Sequence, residues 1–223
     1  MAKTLFPEGI APLVEGYLRQ SSAMHSHACP RQVLGIRMGL LAGRLLDIPV
    51  PQTEKRLLTI AETDGCAVDG IGVATNCWVG RRTLRIEDYG KVAATFVDTK
   101  TSRAVRIVPS EESRTAALAM GGGEGSRFER YLAGYMVLPE DLLFLTQPVE
   151  LRTPVEKIIS KMSKRAFCAR CGEEINNERE VVNGGLTLCQ SCAGHSYYGT
   201  LPEMAQARLV MDSDDDAHAS HDH

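Results

Sequence analysis

Four cysteines near the C-terminal end constrain this chain more than any other feature: Cys168 and Cys171 form one C-x-x-C pair, Cys189 and Cys192 a second, with residues 172–188 between them. A tetrahedral Zn²⁺ takes four thiolates at about 2.3 Å, and each C-x-x-C knuckle turns two of them toward one point. The intervening run INNEREVVNGGLTL reads as two short strands joined at Gly184 and Gly185, which closes the second knuckle onto the first. The spacing predicts a structural zinc ribbon. A disulfide or redox pair is the competing reading, and two C-x-x-C pairs at this distance fit it less well.

The other three cysteines, Cys29, Cys66 and Cys77, lie far upstream, and two histidines stand beside the first of them in MHSHACPR. In an extended segment alternate residues share a face, so His25, His27 and Cys29 are expected to point at one metal ion together. Pro30 suits the first position of a helix, which puts Cys29 at the cap, where the helix dipole favours a thiolate. Cys66 and Cys77 bracket a short helix-like segment and are expected to approach from either end. Read alone, those two cysteines are small buried hydrophobes; beside His25 and His27 they extend a second metal or reactive-thiol site.

The 223 residues are 43% hydrophobic and 24% charged, enough for one sizeable domain and a small one without staples. A net charge of −3 gives no overall signature of a nucleic-acid or membrane-surface protein, so neither partner is expected. The basic cluster Lys157, Lys161, Lys164 and Arg165 reads as a solvated helix face. With no apolar run of membrane length, no leader pattern and thiols in metal-type spacing, a reducing, cytoplasmic compartment is expected.

Along the chain, PEGIAPLVEGYLRQSS and PRQVLGIRMGLLAGRLLDIP carry helical patterns. The second is apolar over a wide arc, with Gly35, Gly39 and Gly43 in a row that lets another backbone approach closely. Strands are expected in KRLLTIAET, RRTLRIEDY, KVAATFVDT and RAVRIVPS, the last two joined as a hairpin with one face on a core and one in water. CAVDGIGVATN reads as a short helix. Ser110 is expected to cap the helix in SEESRTAALAM, Gly121 to Gly123 to hinge two helices, and SRFERYLAGYMVLPEDLLFLTQ to be helical, with Pro139 restarting it. PVELRTPVEK reads as a proline-bounded strand and linker. This divides the chain into residues 1–155, a ribbon with its linker at 156–200, and an acidic tail with His218, His221 and His223 at 201–223, expected to be disordered.

The arrangement MHSHACPRQVLGIRMG followed by ETDGCAVDGIGVATNCWVGRRTLRIEDYGKVAATF resembles the family of the formylmethanofuran dehydrogenase E subunit, over roughly residues 10–155 and with several separated motifs in order. FCARCGEEINNEREVVNGGLTLCQSCA is similar to a zinc ribbon of the DksA/TraR type. The resemblance implies an α+β domain with a mixed sheet and packed helices, found as a homodimer. It also implies a metal near His25, His27, Cys29, Cys66 and Cys77. Five positions depart from the pattern: Arg31 replaces Gly, Trp78 replaces Thr, and Arg81, Arg82 and Thr83 replace K-G-N. The pocket is therefore expected to be bulkier and more cationic. Arg31, Arg37, Arg81 and Arg82 are either anion ligands or surface ion-pair partners.

Two classes of function follow. In the first, an accessory or sensor protein holds a second metal in the core, with Zn²⁺ ahead of Fe²⁺ or Ni²⁺, while the ribbon contacts a protein partner. In the second, a metal-dependent enzyme or a component of an oxidoreductase keeps an open coordination position, with Glu62, Asp64 or Asp69 as base. No acid/base pair stands clearly beside the ligands, which favours the accessory role. The nearly all-round apolar helix at Pro30–Leu46 leaves more hydrophobic surface than one domain should expose, which argues independently for a twofold dimer.

Overall fold

Three glycines in a helix of 17 residues set the architecture. A computed structural model describes residues 10–159 and 163–199 of the chain. Backbone contacts divide the chain into two units, residues 1–159 and 160–223. In the first, α1 (Ile10–His25) leads through a short link into α2 (Pro30–Leu46), which is buried except at Arg31, Arg44 and Leu45. Next come β1 (Leu57–Ala61) and α3 (Cys66–Thr75), followed by β2 (Leu84–Ile86), β3 (Ala94–Asp98) and β4 (Ala104–Pro109). The unit ends with α4 (Ser113–Met120), α5 (Arg127–Val137), α6 (Glu140–Leu143), β5 (Phe144–Val149) and α7 (Val155–Ile159).

A Cβ on Gly35 would collide with the Ala67 carbonyl, and one on Gly70 with the Gln32 carbonyl. Gly39 sits against the Thr75 and Ala74 side chains in the same way. Only glycine at these positions allows α2 and α3 to touch backbone to backbone, so the small-residue row does what its spacing predicts. Cys29 caps α2 in extended conformation, with Pro30 in the first turn and the Gln32 side chain accepting the Cys29 N–H at 2.7 Å.

The five strands run in the order β2-β1-β3-β4-β5. β1 and β2 are parallel, joined by α3 as the crossover, and every other pair is antiparallel. This is an α+β fold with a mixed sheet. Leu57, Phe96, Val105 and Ile107 pack on the helices. The opposite face is not in water, contrary to the hairpin's expected alternation. Leu58, Val97 and Ala104 are covered there by Val155 and its neighbours on α7, so β3 is buried along its whole length. Arg82 and Arg85 donate to the Ile159 and Ile158 carbonyls and hold α7 in place.

Other elements depart locally from expectation. Ser110 does not cap α4; its hydroxyl donates to the Leu142 carbonyl, and Glu112 takes the cap position. FLTQ is not helical: Phe144 begins β5, whose β-pairing with β4 outweighs the helical spacing of its apolar residues. Gly121 lies against the Arg130 backbone and Gly134 against that of Ala117, so α4 and α5 form a tight helical hairpin. The apolar α2 is covered within its own unit, which removes the exposed surface that argued for a dimer.

Asp98 stitches the sheet to its flanking loops. Its buried carboxylate accepts from Arg56 Nε and Nη2 at 3.0 and 2.8 Å, from the Lys100 N–H at 3.0 Å and from Thr101 Oγ1 at 2.9 Å. The Arg56 guanidinium first, then these donors, hold it well below the usual carboxylate range.

Two predictions follow from this packing. Gly70→Ala should destabilise the first unit by about 1–3 kcal/mol, the usual cost of overpacking, read as a lower midpoint in urea. A depressed carboxylate pKa stabilises fully above the unfolded value of about 3.9 and loses that contribution as pH falls toward the folded value. Hence Asp98→Asn should cost about 1.5–3 kcal/mol at pH 7. The gap to wild type should close as pH falls below about 4, checked by denaturant titration across pH.

Candidate metal centres

In the second unit, β6 (Arg165–Phe167) pairs with β7 (Glu174–Asn176), and β8 (Val181–Asn183) with β9 (Leu186–Leu188). The first knuckle sits between β6 and β7, where the Gly172 N–H donates to the Cys168 carbonyl at 2.9 Å with φ +78°. The second follows β9 and ends at Gly194 with φ +100°, a backbone state suited to glycine. All four sulfurs lie within 4.8 Å of one another, and Cys171 Sγ is 3.9 Å from Cys189 Sγ. Thiolates around tetrahedral Zn²⁺ stand about 3.8 Å apart, whereas a disulfide closes to about 2.05 Å. The donor set therefore fits zinc, with Cys168, Cys171, Cys189 and Cys192 as ligands.

Backbone N–H groups, led by those of Cys171 and Cys189, push the Cys168 thiol down to about 6, while hydrogen bonding with Cys189 and burial push Cys192 up to about 12. Four thiolates this close repel one another, and a divalent cation removes the conflict. Among the described residues of this unit, the buried members of its small core are Cys168, Ile175 and Leu188.

The first unit brings together two of its three cysteines. Cys29 at the cap of α2 and Cys66 in the first turn of α3 line one cleft; burial first, then the neighbouring Cys29, pushes the Cys66 thiol up. His27 lies exposed in the link two residues before Cys29. The link is not an extended strand: His25 is the last residue of α1, and Ser26 turns the chain with φ +65°. His25 and His27 are thus separated by a backbone reversal rather than by the alternation assumed from the sequence; the His25 side chain lies outside the described residues.

Cys77 stands apart. It follows the far end of α3, about 15 Å along a helix of 10 residues at 1.5 Å per residue. It is fully buried, its thiol donating to the Leu57 carbonyl at 3.4 Å and accepting from Gln52 Nε2 at 3.3 Å. Burial pushes its thiol up. Glu62 is likewise occupied, in a two-bond ion pair with Arg106 at 2.6 and 2.7 Å.

The Cys29–Cys66 pair opens onto a cleft of about 550 Å³. Leu34, Val92, Pro109 and Phe128 line its apolar wall, and Arg31 and Arg114 bring charge. The Arg114 guanidinium lies over the Tyr131 ring at 5.8 Å, and Tyr131 stacks on Tyr135 with centroids 5.8 Å apart. Sequence reasoning missed this wall, since FERYLAGY reads only as helix; the Arg127–Tyr131 spacing was its one signal. Of the four arginines considered as anion ligands, only Arg31 reaches the cleft. Arg37 is fully buried and donates to the Tyr135 and Leu138 carbonyls, Arg81 to that of Thr53 and Arg82 to that of Ile159. Trp78 packs on Gly72 and donates to Asn76, away from the thiols.

Fold and sulfur cluster together define a two-unit protein, an α+β domain joined to a four-cysteine zinc finger. The family model described as "FmdE, Molybdenum formylmethanofuran dehydrogenase operon" matches residues 24–144, and the chain belongs to that family. The prokaryotic dksA/traR C4-type zinc finger matches residues 163–198. A curated relative, a "Probable S-adenosyl-L-methionine-binding protein" of Archaeoglobus fulgidus, is 29% identical over 82% of this chain; the chain spans about half of that relative, 54% of its length. The crystal structure of an FmdE-like protein of the tungsten formylmethanofuran dehydrogenase type, from Syntrophus aciditrophicus, is similar at TM-score 0.51 and 24% identity, covering 83% of this chain and 94% of that one. That likeness speaks to the fold alone. No helix among the described residues is long and apolar enough to cross a membrane.

Removing zinc should unfold residues 163–199 and spare the first unit, because the ribbon's own core is so small. Cys171→Ser should lose one zinc per chain and become protease-sensitive in that segment, with the main thermal transition unchanged; elemental analysis with limited proteolysis checks both.

Proposed function

We propose that this protein is a metal-binding accessory or sensor protein that holds a structural zinc in the ribbon and a second metal in the core. The observation that carries the core site is the placement of Cys29 and Cys66, two soft ligands at the N-terminal ends of two packed helices, on the lining of one cleft. His27, two residues from Cys29, is the imidazole ligand of this reading, with His25 beside it in the chain. Cys77 takes no part. Zn²⁺ suits two thiolates and imidazole best, with Fe²⁺ or Ni²⁺ as the alternatives. The ribbon serves as the contact to a protein partner, consistent with Phe167, Val182, Leu186 and Tyr197, which are large, apolar and exposed. A cytoplasmic twofold homodimer completes the proposal.

The enzyme alternative would use an open position on the core metal. Its base would come from Asp64 or Asp69, since Glu62 is held by Arg106. A second reading, binding of S-adenosyl-L-methionine, rests on the name of the archaeal relative, and calorimetry with that compound tests it directly.

Metal-replete full-length protein should carry two metal equivalents per chain and give a light-scattering mass of twice 24.3 kDa. Cys29→Ser and His27→Ala should each leave one equivalent, the ribbon zinc. A wild type with one equivalent, indistinguishable from both variants, would sink the core site.

A further inference from the structure

We propose that the cleft over Cys29 and Cys66 is a binding site for a small organic carboxylate with an apolar body. The inference deepens the reading of the core site and rests on it only for what the ligand would meet at the cleft floor.

Size and lining select the class. A volume of about 550 Å³ accommodates a compact organic molecule. Leu34, Val92 and Phe128 offer it an apolar surface, and the Phe128 ring is 47% exposed although it lies on a cleft wall. An exposed aromatic beside a concave apolar patch gains contact area when a ligand covers it.

Charge sets the head group. Arg31 and Arg114 both line the cleft, and among the described residues neither stands within ion-pair distance of a carboxylate. Arg114 is nevertheless held in place, its guanidinium over Tyr131 and beside the Tyr135 hydroxyl. A guanidinium over a ring can still offer N–H groups to a planar anion, which it binds through two parallel hydrogen bonds. Glu111 is the one acid on the lining, so the side-chain charge there sums to one positive unit. That balance suits a monoanionic carboxylate better than a phosphate dianion. With the head at Arg31 and Arg114, the ligand body lies on the Phe128 wall, next to the paired thiols.

Full-length, metal-replete protein titrated with naphthalene-2-carboxylate, 2-naphthalenemethanol and acetate, followed by calorimetry and amide NMR shifts, tests this. Saturable binding of the naphthoate is expected, at least tenfold tighter than the neutral alcohol, with acetate silent up to millimolar concentration. Arg114→Gln and Arg31→Gln, both at exposed positions, should each weaken the naphthoate tenfold or more without moving the melting temperature. Equal affinity for acid and alcohol, unchanged affinity in both variants, or no binding of the naphthoate at millimolar concentration would overturn the proposal. Metal analysis of the same samples separates the two readings. Naphthoate binding in a protein with one metal equivalent leaves the cleft standing and the core metal refuted; two equivalents without naphthoate binding means the reverse.

Discussion

The backbone contact between α2 and α3 is the constraint on which the rest of the first unit depends. With Gly35 against Ala67 and Gly70 against Gln32, the helices pack closer than any side chain would allow, and their N-terminal ends come to lie side by side. Cys29 and Cys66 occupy those ends, so their place on one cleft lining is a consequence of glycine packing. The same α2 also fixes the aromatic wall of the cleft. Arg37 reaches from its buried face to the Tyr135 and Leu138 carbonyls at 2.8 and 2.6 Å and satisfies the C-terminal end of α5. Burying that guanidinium is costly: desolvation draws it down to about 10, opposed by the nearby Glu140 carboxylate. One helix therefore positions the thiols through its small residues and the tyrosines through its largest one.

What could be read from the sequence was what local spacing determines. The C-x-x-C pairs, the glycine row, the Pro30 start of α2 and the hairpin of β3 and β4 each depend on residues close in the chain, and the structure has all of them. The misreadings, except the turn at Ser26, share the opposite property. Ser26 reverses the chain through its own φ, which no periodicity announces. FLTQ pairs with β4 across the α4–α5 hairpin, and that partner outweighs its helical spacing. Cys77 and Cys66 looked equivalent, because sequence shows that both flank a helix and cannot show that Leu57 and Gln52 bury one of them. Arg37 and Glu62 looked available for chemistry, yet each is spent on a structural bond to a residue far along the chain.

The two sulfur clusters differ in what would hold them together without metal, and this bears on how each would use one. The ribbon's four thiols sit in a unit whose buried apolar side chains are few, so the metal is what its folding depends on. Cys29 and Cys66 instead sit on two long helices already fixed by glycine packing and a large core, and neither helix needs a metal to stay in place. Both also line a cleft. On the proposed reading of the core site, a metal held there would be reachable from outside and separate from what stabilises its scaffold, as in an exchangeable site. If the proposed core metal binds, the chain separates a cluster suited to structure from one suited to sensing or chemistry.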